Sequence, residues 1–256
     1  MKTALPPVWM YHHVEPPPLT PPATFPGSYL TPEELARQLD FLADRGLRGV
    51  SLRQAAGEPK NRRQVALTFD DGCRCFARHA LPLLRARAMS ATLFVVSGSL
   101  GGDNHWDRAA GERREELADG DTLRRLAAAG IEIGAHSRSH PRLDQLPAAD
   151  LQAEIAGCRR DLETLLGEPV ESFCYPYGRL DPASRAAVAA AGFTSAVSIH
   201  GFPHAHRRDR LAFPRMILGP TESSFDLWLK ARGAYSWWSR LPRLGITAAL
   251  RRWRRR

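Results

Sequence analysis

The sequence has few cysteines and no long apolar run, and both absences exclude classes of protein. Four cysteines in 256 residues are too few for a disulfide scaffold, so we expect reduced thiols. No stretch approaches the roughly 18 consecutive apolar residues of a membrane span. The chain reaches Pro6 and Pro7 without the apolar core of a secretory signal. We therefore expect a cytoplasmic protein, either free or peripheral at the inner face of the membrane.

Acidic residues are absent from 230–256, a segment with nine basic residues. Without these nine, the 36 basic residues of the chain fall to 27 and equal the 27 acidic residues. Since residues 1–229 are thus neutral, they lack the basic field of a nucleic-acid-binding protein, and no specific nucleic-acid partner is predicted. We expect a catalytic domain at 1–221 and a basic, tryptophan-rich helical tail at 222–256. The tail is interpreted either as an amphipathic helix on an anionic membrane surface or as a solvated end.

Short apolar runs alternate with longer helical patterns along the chain. This alternation predicts an α/β fold in which repeated β-α units surround a parallel sheet or barrel. Several chemically active side chains fall at or just after the carboxyl ends of the predicted strands. They are His12, Asp70, Asp71, His136 and Tyr177. Because active sites of β/α barrels form at that edge, we expect these residues to share one site.

Asp70 and Asp71 are adjacent carboxylates after an apolar strand, and Gly72 allows a sharp turn behind them. Neighbouring residues at a strand end point in different directions, so one carboxylate can bind a cation while the other accepts a proton. The same pattern, taken alone, is also typical of a turn whose acids cap the next helix.

His136 and His140 are four positions apart, a spacing from which two imidazoles can bind one metal ion. Two ordinary surface histidines are the alternative for this motif alone. Together with one aspartate, the pair forms a set of three ligands that leaves positions open for water and substrate. Because unrelated motifs would seldom both end core strands, we predict a divalent metal site, with Zn²⁺ as the first candidate.

A third motif at 173–178 contains Tyr175, Pro176 and Tyr177. It places two aromatic rings and a proline turn at another predicted strand end. Such rings can wall a sugar pocket, and backbone N–H groups there can hold an oxyanion. Ordinary packing is the alternative interpretation of the same residues.

The first two motifs resemble those of a known family. Residues 68–72 (TFDDG) and 136–140 (HSRSH) are similar to the first motifs of the polysaccharide deacetylases, the NodB-homology or carbohydrate esterase 4 family. The resemblance implies a distorted (β/α) barrel that hydrolyses N-acetyl groups of a glycan or lipid-linked saccharide and releases acetate. It also implies a catalytic base, Asp70, and three metal ligands, Asp71, His136 and His140.

The sequence departs from the family pattern at two points. Cys174 stands where the third motif usually begins with arginine, so the usual arginine contact to the base is expected to be missing. The late Leu-x-His motif is not recognisable, since Ile199 and His200 match it poorly. Instead, Tyr11 and His12 resemble the start of a branch related to poly-N-acetylglucosamine deacetylases, which implies His12 as the general acid. The same branch implies further site residues at Asn104, Trp106 and Arg215.

Two other functions fit the same features. One is an amide hydrolase on this scaffold that cleaves a C–N bond outside sugars. The other is a noncatalytic glycan-binding or membrane-docking protein, which the departures from the family pattern favour. Acetate release from an acetylated oligosaccharide would separate the predicted deacetylase from both.

Overall fold

The computed structural model describes residues 5–18, 28–58, 61–110, 113–199 and 205–234. Within these ranges, the strands are β1 (Val8–Tyr11), β2 (His13–Val14), β3 (Tyr29–Leu30), β4 (Arg48–Val50), β5 (Gln64–Phe69), β6 (Thr92–Val95), β7 (Glu132–Ala135), β8 (Ser172–Cys174), β9 (Ser195–Ile199) and β10 (Phe213–Ile217). The helices are α1 (Pro32–Ala43), α2 (Leu52–Gly57), α3 (Leu81–Ala86), α4 (Gly120–Ala128), α5 (Ala148–Leu166), α6 (Pro182–Ala190) and α7 (Ser224–Ala231).

Seven parallel strands close into a barrel in the order β1, β10, β9, β8, β7, β6 and β5. Strand β1 closes the ring because it pairs with both β10 and β5, so that Trp9 lies opposite Met216 on one side and Leu67 on the other. Strand β4 extends the sheet beside β5, while β2 and β3 form a separate pair. The predicted distorted (β/α) barrel is confirmed.

Alternate residues of the barrel strands belong to different layers of the core. In β5, Leu67 and Phe69 pack in the larger cluster, which includes the inward faces of helices such as Leu39 of α1 and Leu151 of α5. Ala66 packs in the smaller cluster, which is formed mostly by residues of the barrel strands themselves. Since every strand is parallel, the carboxyl ends of all seven meet at one edge of the barrel.

Thr31 as an N-cap and Pro32 at the first helical position predict a helix start, and α1 begins there. Thr31 accepts a hydrogen bond from the backbone N–H of Glu34, and the Glu34 carboxylate accepts the N–H of Thr31. This reciprocal cap satisfies two N–H groups that have no partner within the helix. The sequence also predicts a helix from about 148 to 166 closed by Gly167. Helix α5 has these bounds, and the φ of 72° at Gly167 suits glycine.

One predicted helix is divided. The segment expected as a single helix over 76–88 is a π-helical turn at Phe76–Ala80 followed by α3. Pro82, in the first turn of α3, has no N–H with which to continue an α-helical ladder from the preceding turn. The backbone N–H of Leu81 donates to the carbonyl of Phe76, which is the wider spacing of a π-turn.

The proposed boundary between 221 and 222 lies within the packed part of the chain. Helix α7 buries Leu227 and Leu229, and the ammonium group of Lys230 donates to the Ile217 carbonyl and pairs with Glu222. Residues 222–234 therefore pack with the barrel domain, which corrects the expected division. The remainder of the basic tail, 235–256, lies outside the described residues. Among the described helices, none is long and apolar enough to cross a membrane.

Candidate active site

Three candidate metal ligands meet at the carboxyl edge of the barrel. Asp71 follows β5, while His136 and His140 follow β7, and all three side chains are buried. One oxygen of Asp71, Oδ1, lies 3.5 Å from Nε2 of His136 and 3.6 Å from Nε2 of His140. The structure thus brings together the carboxylate and the two imidazoles that the sequence indicated.

His136 is oriented by a hydrogen bond behind its ring. Its Nδ1 lies 2.8 Å from the backbone carbonyl of Cys174, an acceptor only, so Nδ1 carries the proton. The other ring nitrogen, Nε2, then faces Asp71. Burial opposes protonation of this ring, but Cys174 and the Asp71 carboxylate hold the pKa of His136 well above its usual value. This arrangement is typical of histidine ligands, whose second nitrogen is held by a carbonyl or carboxylate.

The loop between the two histidines is held by α5. Glu154 accepts hydrogen bonds from the backbone N–H groups of Arg138 and Ser139, each at 2.9 Å. Within the loop, the Ser137 hydroxyl accepts from the backbone N–H of His140 at 3.0 Å. Gly134 before the motif and Pro141 after it favour a loop, and the two histidines are indeed joined by one. Glu154 is a supporting residue that the sequence motifs did not reveal.

Backbone strain is concentrated at this edge. Of the five residues other than glycine with positive φ in the described chain, Ala88 lies elsewhere and four belong to the site. These four are Asp71 (φ 70°), Ser137 (63°), His140 (61°) and Tyr177 (57°). Such conformations cost of order 1–3 kcal/mol each and persist where the surroundings impose them, frequently at functional sites.

Asp70 lies next to the three-residue set, with a carboxylate oxygen within 4.8 Å of a ring nitrogen of His136, and pairs with Arg215 of β10. Its Oδ1 accepts from Nη1 at 2.6 Å, and its Oδ2 accepts from Nη2 at 2.7 Å. Burial alone would raise the pKa of Asp70, but the Arg215 guanidinium outweighs burial and holds the pKa below its usual value. Asp70 is therefore an ionised carboxylate in a fixed orientation.

Two expectations about arginine are corrected by this pair. Because Cys174 replaces the usual arginine, the base was expected to lack an arginine contact. Arg215 supplies this contact to Asp70 from another strand and also donates to the Cys174 sulfur at 3.0 Å. Arg215 was expected among the substrate and oxyanion residues, but its side chain is completely buried. Its guanidinium contacts Thr68, Asp70 and Cys174, so its observed partners belong to the protein.

His12 follows β1 and lies beside Asp70. Its Nε2 is 3.9 Å from Oδ2 of Asp70, and about a fifth of its side chain (21%) is exposed. Burial lowers the pKa of His12, although the nearby Asp70 opposes this shift. The exposed fraction allows His12 to reach a bound substrate. The competing candidate, His200, lies outside the described residues.

Two aromatic side chains border the opposite side of the site. The ring of Trp106 stacks on His140 at 4.7 Å between centroids, and Tyr177 meets the same imidazole edge-on at 4.6 Å. Both aromatic residues are only partly buried. They therefore form a wall beside the metal-ligand set, as expected for a sugar pocket.

Three other expected substrate residues do not face this space. Tyr175 is fully buried and its hydroxyl donates to the Leu211 carbonyl at 2.8 Å. The Asn104 amide donates to the Arg113 carbonyl and accepts from the backbone N–H of Glu115, so its polar atoms hold the local chain. Pro176 is buried at the strand end. These side chains are engaged within the loops around the site, and their assignment as substrate or oxyanion residues stays a prediction.

Comparison with known proteins decides the family. The family model of polysaccharide deacetylases matches residues 57–196, more than half of the chain. This chain belongs to the polysaccharide deacetylase family. The predicted family, and with it a hydrolase that removes N-acetyl groups from glycans, is confirmed. Both His12, which follows β1, and Arg215 of β10 lie outside the matched residues.

Several similar proteins align with nearly the full length of this polysaccharide deacetylase. YxkH of Bacillus subtilis, named for the same family, is 24% identical over 240 residues, which are 90% of this chain and 78% of YxkH. The Streptococcus pyogenes deacetylase PplD, solved with acetate, superimposes with a TM-score of 0.75 at 21% identity over 90% of this chain and 99% of PplD. IcaB from Ammonifex degensii superimposes with a TM-score of 0.72 at 24% identity over 90% and 97%. At these identities the two structures support the fold.

The side chains of this deacetylase fit a divalent cation. One ligand atom from each of Asp71, His136 and His140 lies within 4.8 Å of the others. Burial and the neighbouring His136 lower the pKa of His140 to about 3, so its imidazole is neutral, the form that binds metal. Burial opposes ionisation of Asp71, yet the two imidazoles hold its pKa well below the usual value. A carboxylate with two imidazoles is a donor set suited to Zn²⁺.

Proposed function

We propose that this deacetylase hydrolyses the N-acetyl groups of a glycan, with Asp70 as general base, His12 as general acid and Asp71, His136 and His140 holding a divalent cation. The observation that supports this proposal is that two adjacent carboxylates have different partners. Asp71 Oδ1 faces both imidazoles, whereas Asp70 is held by Arg215 and faces His12. Metal binding and proton transfer are thus assigned to different carboxylates.

We propose Zn²⁺ as the cation because one carboxylate and two imidazoles match its preferences and leave positions open. When bound, it would supply a Lewis acid that polarises the acetyl carbonyl and acidifies a water molecule. Asp71 provides the single negative charge of the set. The Nδ1 hydrogen bond to the Cys174 carbonyl keeps His136 in the required tautomer.

Asp70 accepts the proton of the attacking water in this mechanism. Arg215 keeps the carboxylate ionised and fixes both of its oxygens, so little reorganisation is needed when the proton is transferred. The water oxygen adds to the acetyl carbonyl carbon, and the C–N bond to the sugar then breaks. Acetate is one product and the free amino sugar is the other.

His12 donates a proton to the departing nitrogen. Its position 3.9 Å from Asp70 places the acid next to the base. Burial lowers the pKa of His12, and the Asp70 carboxylate opposes this shift by favouring the protonated imidazole. We propose that Trp106 and Tyr177 bind the face of the sugar, since aromatic rings commonly cover apolar sugar faces. The backbone N–H of Tyr177 is proposed as a donor to the developing oxyanion.

Acetate release from N-acetylated chito-oligosaccharides tests the proposal. The zinc-loaded protein is expected to release acetate and expose free amines in equal amounts. Hydrolysis of cyclic imides or ureides without any acetate release would favour the amide hydrolase outside sugars. Metal binding without hydrolysis of any acetylated sugar would favour the noncatalytic alternative.

We also propose a location at an anionic membrane surface on the cytoplasmic side, with a lipid-linked saccharide as one possible substrate form. Support comes from the nine basic residues at 230–256 and from Phe225 and Trp228, two exposed rings of α7 stacked 6.1 Å apart. Co-sedimentation with vesicles that contain phosphatidylserine tests this. Equal sedimentation with neutral vesicles, or of a chain ending at Ala234, would contradict it.

A further inference from the structure

A second group of potential metal ligands lies next to the active site. It consists of His13, Glu15, Cys73 and Cys75, here called the Cys₂HisGlu cluster. One ring nitrogen, one carboxylate oxygen and the two sulfur atoms all lie within 4.8 Å of one another. His13 and both cysteines are buried, and 14% of the Glu15 side chain is exposed. None of these side chains has a part in the proposed deacetylation.

The backbone explains why these side chains converge. His12 and His13 are consecutive residues in extended chain, so their side chains point in opposite directions. His12 lies beside Asp70, whereas the ring of His13 stacks on Tyr29 at 4.6 Å between centroids. The cysteines enter from the turn that follows Asp71. The cluster thus joins the two segments that carry the proposed acid and the two carboxylates.

Both sulfur atoms are positioned by backbone N–H groups. The N–H of Cys75 points to the sulfur of Cys73 at 3.2 Å, and the N–H of Val14 points to the sulfur of Cys75 at 3.4 Å. The thiolate is the form of cysteine that binds a metal ion. Each sulfur is held by a backbone N–H group in a fixed position from which it can bind a cation.

Two polar atoms of the cluster have no hydrogen-bond partner among the described residues. They are Nδ1 of His13 and Oε1 of Glu15, both buried. The second oxygen of Glu15 accepts from Arg113 at 2.9 Å, so only one side of the carboxylate is satisfied. A buried polar atom without a partner is destabilising, and a bound cation would relieve this at Glu15.

We propose that the Cys₂HisGlu cluster binds a second metal ion, separate from the ion at Asp71, His136 and His140. Two thiolates, one imidazole and one carboxylate form a complete four-ligand set for Zn²⁺, without the open position of a catalytic site. Each thiol releases its proton to solvent when it binds. The ion is structural: it ties the segment of His12 to the turn that carries Asp71.

Zinc stoichiometry tests the second site without any activity measurement. The full chain, stripped by a chelator and reloaded with Zn²⁺ alone, is expected to retain about two ions, and Cys73→Ser/Cys75→Ser about one. His136→Ala is also expected to retain about one ion. A wild-type chain with one ion, lost in His136→Ala and kept in the double cysteine variant, overturns this inference. One ion with the reverse pattern overturns the proposed catalytic metal site instead.

Cobalt(II) distinguishes the two sites because only the Cys₂HisGlu cluster has sulfur ligands. Co²⁺ loading is expected to produce the near-ultraviolet absorption of thiolate-to-cobalt charge transfer, which Cys73→Ser/Cys75→Ser abolishes. Cys158→Ser, a change at another buried cysteine, is the matched control and keeps the absorption. Absorption that survives the double variant but disappears in Cys174→Ser would place the sulfur ligand beside Asp70 and His136 and overturn the inference.

Glu15→Gln provides a test at a partly exposed position if the cysteine variants do not fold. Loss of this ligand is expected to weaken the second zinc-binding event at least about tenfold while the first is unchanged. Arg113→Gln removes the partner of Glu15 without removing a ligand and serves as the control. Equal zinc affinities in wild type and Glu15→Gln would overturn the assignment of Glu15 and, with an absent cobalt absorption, the site itself.

Discussion

Arg215 and Asp70 form a two-point ion pair between residues 145 positions apart, with both N–O distances under 2.8 Å. The guanidinium is completely buried and comes from β10, outside the part of the chain that matches the family model. Arg215 makes the contact to Asp70 that an arginine at position 174 would make in the usual family pattern. The catalytic carboxylate is therefore supported by a different strand, and the small Cys174 side chain leaves room for this approach.

Arg215→Met is expected to destabilise the fold by about 3 kcal/mol, because it leaves Asp70 as a buried carboxylate without a partner. The free energy of unfolding in urea measures the effect. Arg185→Met is the matched control, since Arg185 forms a similar two-point pair with Asp209 at a partly exposed position. That change should cost about 1 kcal/mol or less. Equal losses in the two variants would contradict a special role for the buried pair.

The same substitution is expected to shift the pH dependence of activity. In the wild type, Arg215 outweighs burial and holds the pKa of Asp70 below its usual value, so the base stays ionised into acidic solution. In Arg215→Met, the strongest charge that opposes burial is removed and that pKa rises, so the acid limb of kcat/KM should move to higher pH. The stabilisation from the pair, present above the pKa of unfolded Asp, is lost as pH falls through the lower folded pKa. An unchanged acid limb would count against Asp70 as the base.

Asp70→Asn and His136→Ala are expected to separate proton transfer from metal binding. Asp70→Asn should keep its zinc and lose on the order of 10²–10⁴ in kcat, because the base is absent and the ligand set intact. His136→Ala should lose both zinc and activity. Metal content and acetate release, measured on the same preparations, provide the comparison. Normal turnover by Asp70→Asn would reject the assignment of the base.

His12→Gln is expected to lower kcat by about 10²–10⁴ without changing the zinc content, because the leaving nitrogen has no proton donor. His200→Gln is the matched control, since His200 is the competing candidate in the sequence. The measurement is the initial rate of acetate release at saturating substrate. A larger fall in kcat for His200→Gln than for His12→Gln would transfer the acid role to His200.

Two truncations are expected to locate the end of the barrel domain. A chain ending at Thr221 loses α7 with Leu227 and Leu229, whose burial contributes about 4 kcal/mol together. A chain ending at Ala234 keeps these contacts and should retain the wild-type midpoint of urea unfolding. If both chains unfold at the wild-type midpoint, α7 is not part of the cooperative unit.

Several elements were predictable because their signals are local. Thr31, Pro32 and Glu34 specify the start of α1 through backbone capping, and the apolar run before Asp70 specifies β5. Strand β4 was not predicted. Val50 is the one apolar side chain among its three residues, and a single apolar residue gives no periodic pattern. Strand β10 was not predicted either, since Pro214 and Arg215 interrupt its apolar pattern. An arginine within a core strand becomes understandable only when its buried partner is known.

By itself, the sequence determined the family, the barrel and the two motifs whose carboxylates and imidazoles meet, since these depend on residues close together in the chain. Only the tertiary structure decided that Arg215 supports Asp70, that Tyr175 and Asn104 serve the loops, and that α7 belongs to the barrel. It alone brought His13 and Glu15 to the two cysteines. Such relationships depend on which distant segments the closed barrel places side by side, and pairwise contacts of this kind leave no periodic or local pattern along the chain.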